Sequence, residues 1–293
     1  MDSESDFYGD EETVSVLEDR VANFDVVSWW DRHRPMASYI QQTARNLSAG
    51  PAPGCLYNKY EGEPGARQLS ESVDDFLARL PPATTDWRPG LDWIFIANPY
   101  EPPGPGAALD RFMAGGEERL QLLEAFENMV TASSAGGMAG RSLAKLQKDV
   151  AKERRAAVED LRQLAVVCNV VLGKWMLFPE PGSVNSVWAK VARATANNEL
   201  GVSAKVETRV DSQKARLICV YTRDFRDKDD VARVLNRLRQ LELVSPGGKQ
   251  IYYKSDAWTH LGIYGGNRWG IQASMYSSNE LFAYIRTLAS RRP

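Results

Sequence analysis

From Gly173 onward the chain alternates short apolar strands with single amphipathic helices, and this order limits the fold more than any other feature. Residues 174–178 (KWMLF) predict a strand that stops at Pro179 and Pro181. Ser183 is then expected to cap a helix whose Val184, Val187, Trp188, Val191 and Ala192 share one face, ending near Gly201. Residues 202–208 and 216–221 (RLICVY) read as two strands joined by the polar turn 209–214. Asp229 and Asp230 sit where negative charge suits a helix start, and Val231, Val234, Leu235, Leu238 and Leu241 form that helix's apolar stripe. Pro246-Gly247-Gly248 marks a turn, residues 249–254 and 269–276 read as strands, and Ser278 caps a further helix with Leu281, Phe282, Ile285 and Leu288 inward. Strand pairs separated by single helices favour an antiparallel or mixed sheet covered on one face, an α+β layer fold.

The preceding half fits the same plan. Residues 71–80 predict a brief helix halted by Pro81-Pro82, and 91–97 (LDWIFIA) a buried strand. Two helical stretches follow, one through Leu122, Phe126, Met129 and Val130, the other from Arg141 through Leu161 and Cys168. The small residues between them, 131–140 (TASSAGGMAG), are expected to move freely. The expected organisation is an acidic disordered tail at 1–20 and one α+β domain over 21–293, with a mobile helical insertion around 107–165. Residues 1–20 hold eight acids against one base. Of the totals of 36 bases and 38 acids, the remaining chain therefore keeps 35 and 30, a positive balance.

Several chemistries find no footing. Three scattered cysteines without a CxxC pair argue against a disulfide framework and a zinc site, so no metal and no cofactor are expected. No apolar run reaches the ~18–20 residues of a membrane span, and the acidic start lacks a signal peptide's basic and apolar regions. The expectation is a soluble cytoplasmic protein with a nuclear pool also open, and no membrane partner. Residues 135–142 (AGGMAGRS) imitate a phosphate loop, but Arg141 replaces its lysine and a helix precedes it instead of a strand. His33 and His260 are the only histidines, and no GxSxG elbow accompanies them.

Residues 252–276 differ from the rest. They hold six aromatics (Tyr252, Tyr253, Trp258, Tyr264, Trp269 and Tyr276), against 10% aromatics overall, with Lys254 and Arg268 among them. Lys214 and Arg223 lie on the preceding turn and strand end. Interleaved cations and ring faces suit RNA or a nucleotide, because charge neutralises phosphate while rings stack bases. The same rings also fill cores. The candidate ligand-binding set is Trp258, Trp269, Lys254, Arg268, His260, Tyr264, Arg223 and Lys214.

The segments LDWIFIANPY, GKWMLF, VNSVWAKVARATANNELG, ICVYTRDF and YYKSDAWTHLGIYGGNRWGI resemble the basophilic leukemia-expressed protein family over about residues 91–288. The resemblance implies a fold similar to translation initiation factor 4E, a curved, mainly antiparallel sheet backed by helices. It also implies a cap site that clamps a methylated base between two tryptophans. By strand order the second of these falls in the turn 209–215 (RVDSQKA), which has none, so the standard clamp is not expected. The leading expectation is a non-catalytic RNA- or nucleotide-binding protein using the sheet's concave face. A protein-interaction adaptor is the alternative, recruiting partners through Trp29-Trp30 in the N-terminal segment and through the helical insertion. An enzyme acting on a phosphorylated substrate through His260 with Arg268 or Lys254 ranks third.

Overall fold

The computed structural model describes residues 56–135 and 140–290. The chain divides into the units Met1–Pro53 and Gly54–Pro293. The expected acidic tail, Trp29-Trp30, and positions 136–139 of the small-residue linker lie outside the described residues.

The second unit is an α+β fold around a six-stranded, open, wholly antiparallel sheet. In chain order the elements are α1 (Val73–Arg79), β1 (Trp93–Ala97), α2 (Leu109–Ala135), α3 (Gly140–Val167), β2 (Gly173–Leu177), α4 (Val184–Ala196), β3 (Ser203–Glu207), β4 (Ile218–Thr222), α5 (Lys228–Gln240), β5 (Tyr252–Ser255), α6 (Asp256–His260), β6 (Tyr276–Ser277) and α7 (Ser278–Ser290). The strands lie in the order β1-β3-β4-β2-β5-β6. Only β3 and β4 are neighbours in both sequence and space with a short connection, which is why helices separate most of the strands. The outer edge of β1 is not bare: Phe95 N–H donates to Gly65 O, and Arg67 N–H donates to Phe95 O.

Alternation in the strands divides the sheet into two faces. Ile94 and Ile96, Ala204 and Val206, Ile218 and Val220, Trp175 and Leu177, and Tyr253 all fall on one face by register. These join the core with Trp188 and Val191 of α4 and with Val231, Val234, Leu235 and Leu238 of α5. Trp175 donates its indole N–H to Val231 O at 3.0 Å, and the Tyr253 hydroxyl meets Thr222 Oγ1 at 2.6 Å. Gly173 is required where it stands, since a Cβ there would lie 2.1 Å from the Tyr253 hydroxyl. Trp175, Trp188 and Tyr253 are completely buried. Helices α2 and α3 pair antiparallel and add Phe112, Leu123 and Leu161 to the same core; Arg119 holds them together, its guanidinium bonding Glu153 and Asp160 at 2.7 Å each.

The predicted elements are found with four physical corrections. Helix α2 continues through Thr131–Ala135, within the stretch expected to be mobile, and Thr131 Oγ1 donates to Glu127 O at 2.8 Å. Ser183 precedes α4 but makes no side-chain cap, because its hydroxyl donates backward to Glu180 O. The cap of α7 is built at Ser277 rather than Ser278. Ser277 Oγ accepts from Glu280 N–H while Glu280 accepts from Ser277 N–H, a reciprocal capping box. Of the strand expected over 269–276 only Tyr276 is in β6. The Asn267 side chain ties together Tyr264 O, Ile271 O and Ile271 N–H, and Gly270 takes φ 60°, so this stretch coils.

Candidate ligand-binding face

On the opposite face of the sheet, register lines up Ser203, Tyr221, Lys174 and Lys254 in one row across β3, β4, β2 and β5. The next row carries Phe95, Lys205, Cys219, Met176 and Tyr252. Three lysines thus occupy strand positions that alternate with core residues. Lys174 precedes Trp175, Lys205 lies between Ala204 and Val206, and Lys254 follows Tyr253.

The first row forms a sunken floor. Lys174, Lys254 and Tyr221 retain 5%, 4% and 6% of their accessible surface. Around it, Lys205, Trp93 and Met176 are half-buried, while Tyr252 and Tyr264 are exposed. Ring faces meet the cations directly. Lys205 Nζ lies 3.9 Å from the centre of the Trp93 ring, Lys254 Nζ lies 3.9 Å from that of Tyr264, and Lys174 Nζ lies 5.4 Å from that of Tyr221.

Only one of these ammonium groups is paired. Lys174 donates to Asp256 Oδ1 and, at 3.0 Å, to Thr259 Oγ1, both supplied by the short helix α6. Ser255 positions that helix by accepting from Ala257 N–H. Among the described residues Lys205 and Lys254 have rings as neighbours but no hydrogen-bond acceptor, and the Tyr221 hydroxyl has none either. Ser203 Oγ, completely buried on the same row, is also unpartnered. A buried polar group without a partner costs free energy; on this face Ser203 Oγ is one, and the donors of Lys205, Lys254 and Tyr221 stand unpaired beside it.

The electrostatics agree. Burial, then the neighbouring Lys174 charge, lowers the Lys254 ammonium from 10.5 to about 8. Burial likewise lowers Lys205, aided by Lys174 and opposed chiefly by Cys219. Burial pushes the Cys219 thiol up to about 11, so this free cysteine is held as a neutral thiol and not as a nucleophile. Burial raises Tyr221 as well. Each shift disfavours charge on this face, and an anion placed among the lysines would reverse those of Lys205 and Lys254.

Of the candidate residues named from sequence, the structure brings Lys254 and Tyr264 together on this face. The others lie elsewhere. Trp258 is 2% exposed, a core ring whose indole N–H donates to Gln272 O at 3.2 Å, so neither of its faces is open for stacking. Trp269 is half-buried, its carbonyl bound by Arg154 of α3 at 2.7 Å. Arg268 stacks over Trp269 and pairs with Glu124 of α2 at 3.2 Å. Arg223 pairs with Glu101. Lys214 is exposed in the connection between β3 and β4, and His260 is exposed at the end of α6. Sequence reasoning passed over Lys174, Lys205, Tyr221, Trp93 and Ser203. The available signal was a lysine at the outward position of otherwise apolar strands, where a solvated face would normally show several polar residues.

Among the described residues no three His, Cys, Asp or Glu side chains gather to hold a metal ion, and no helix is long and apolar enough to cross a membrane. Two solved structures of Ascaris suum eIF4E-3 are similar to part of this chain, one in complex with m2,2,7G cap and one with m7G cap. Identities are 19% and 20%, TM-scores 0.28 and 0.27, and each match spans 37% of this chain and 58% of the other. At those scores the likeness says nothing about ligand or residues. The family model described as basophilic leukemia-expressed protein Bles03 matches residues 17–262, most of the chain, and the protein belongs to that family.

Proposed function

We propose that the lysine face binds a nucleotide or single-stranded RNA, with Lys205 and Lys254, three strands apart, each taking a phosphate and neighbouring rings taking a base. The observation that carries this reading is the pair of cations, Lys205 and Lys254, that have ring neighbours and no acceptor. A structural lysine in such a setting is normally paired, as Lys174 is with Asp256. The Tyr221 hydroxyl, unpartnered among the described residues, can donate to a phosphate oxygen. Trp93 and Tyr264 offer sequence-tolerant stacking surfaces of the kind single-stranded nucleic acid uses.

The test is fluorescence anisotropy of a labelled 12-nucleotide RNA, with GTP as competitor, across a salt series. Binding should weaken with salt. The Lys205→Ala/Lys254→Ala double variant should flatten the log–log slope by about 1.4, because each phosphate no longer neutralised removes ~0.7. RNA bound with an unchanged slope by the double variant would place any nucleic-acid site elsewhere, and no binding of either probe would remove the reading.

A further inference from the structure

A second site lies on different elements. One stripe of α3 (Arg162, Val166 and Val167), the segment Phe225–Arg226 before α5, and Met275–Tyr276 enclose a cleft of about 590 Å³. That volume suits a small organic ligand. Its floor is apolar: Phe225 is 3% exposed, Val166 and Met275 pack against the core, and Val167 stands 67% exposed at the mouth.

Two charges lining this cleft, Glu159 and Arg162, make no ion pair among the described residues. Arg226 is neutralised by a bidentate contact with Asp224, Nε to Oδ1 at 3.0 Å and Nη2 to Oδ2 at 2.5 Å. Glu159, on the α3 stripe, accepts only from Gln163, at 3.3 Å. Arg162 has no hydrogen-bond or ion-pair partner among the described residues, and its Nε is buried without an acceptor. The Arg162 side chain is half-buried with only its Nε fully shielded, and the planar fork of a guanidinium matches a carboxylate in two-point geometry.

From the unpaired guanidinium at the wall of an apolar cleft, we infer that this cleft binds a small amphipathic monocarboxylate. Its carboxylate meets Arg162 and its apolar body lies against Phe225, Val166 and Met275. A doubly charged phosphate fits less well, because one uncompensated cation would face two negative charges with Glu159 nearby. The inference is independent of the lysine face, which lies on other strands and uses other cations.

Isothermal titration of the full chain with 4-phenylbutyrate, 4-phenylbutanol and phenyl phosphate decides it. The carboxylate should bind at least tenfold more tightly than the alcohol, a difference of about 1.4 kcal/mol, and more tightly than the phosphate. Arg162→Gln should erase the preference for the carboxylate over the alcohol, Met275→Trp should fill the cleft and abolish binding of both, and Lys254→Ala should change neither. Equal affinity for acid and alcohol, tighter binding of the phosphate, or no detectable binding by the wild-type chain would each overturn the inference. So would a preference that survives Arg162→Gln. The wild-type comparison needs no variant to fold.

Discussion

The two faces of the central sheet are made from the same strands and differ by one residue of register, yet they solve opposite problems. On the helix-covered face the rings are buried in hydrocarbon; Trp175 pairs with Val231 O and Tyr253 with Thr222, while Trp188 Nε1 has no partner. On the other face, rings lie beside ammonium groups, and the unpaired atoms of Lys205, Lys254, Tyr221 and Ser203 can all donate. The first arrangement stabilises the fold. The second lowers the proton affinity of two lysines and gives the fold no ion pair from either, a pattern that marks functional sites more often than structural ones.

Mutation should separate the faces most sharply at Trp175. Trp175→Ala removes a fully buried indole and its hydrogen bond, and should lower unfolding free energy by about 3–5 kcal/mol in urea titration. A loss below about 1 kcal/mol would mean that the helix-covered face is not the principal core.

The lysine face should respond the other way. Lys205→Met/Lys254→Met should leave stability unchanged or raise it by up to about 1 kcal/mol, because two poorly solvated cations become apolar groups of similar length. The same variant should lose RNA and nucleotide affinity. For Lys254 the pH dependence has a definite sign. Between pH 8 and pH 10.5 the unfolded chain keeps this proton while the folded chain has released it, so wild-type stability gains from this group as pH rises. The advantage of Lys254→Met over wild type should therefore be greatest below pH 8 and vanish toward 10.5. Cys219, pushed up to about 11 from 9.0, acts in the opposite sense above pH 9, but it is present in both chains and largely cancels in their difference. If Lys254→Met destabilises the protein at pH 7, the lysine is structural.

Much of the fold was legible from periodicity, since apolar alternation and helical stripes directly record which side chains are buried. The stripe Val231, Val234, Leu235 and Leu238 is completely buried, as its spacing implies. What sequence could not show is pairing. Lys254 was identified from the aromatic–basic segment around it, whereas Lys174 and Lys205 are distant in sequence and meet it only because β2, β3 and β5 share one sheet. Trp258 and Trp269 carried the same composition signal as Tyr264 but went to other environments. The short helix α6 turns Trp258 into the core, and Arg154 holds Trp269 against α3. Composition reports that rings and charges are near one another along the chain and is blind to which side of a backbone each takes.

The smallest stability effect gives the finest cut, at the rim. Tyr264 is 56% exposed and touches the Lys254 ammonium with its ring face. Removing it should change folding stability by no more than about 0.5–1 kcal/mol, the range of an exposed cation–π contact. If the ring also stacks a base, Tyr264→Ala should weaken RNA binding by ~1–3 kcal/mol, and Tyr264→Phe should restore it, because stacking needs the ring and not the hydroxyl. Trp258→Phe supplies the contrast from within the same segment. It alters a buried indole hydrogen bond and should lower the melting temperature while leaving affinity alone. Affinity abolished in Trp258→Phe and kept in Tyr264→Ala would reverse the assignment of the two rings and move the ligand away from the lysine face.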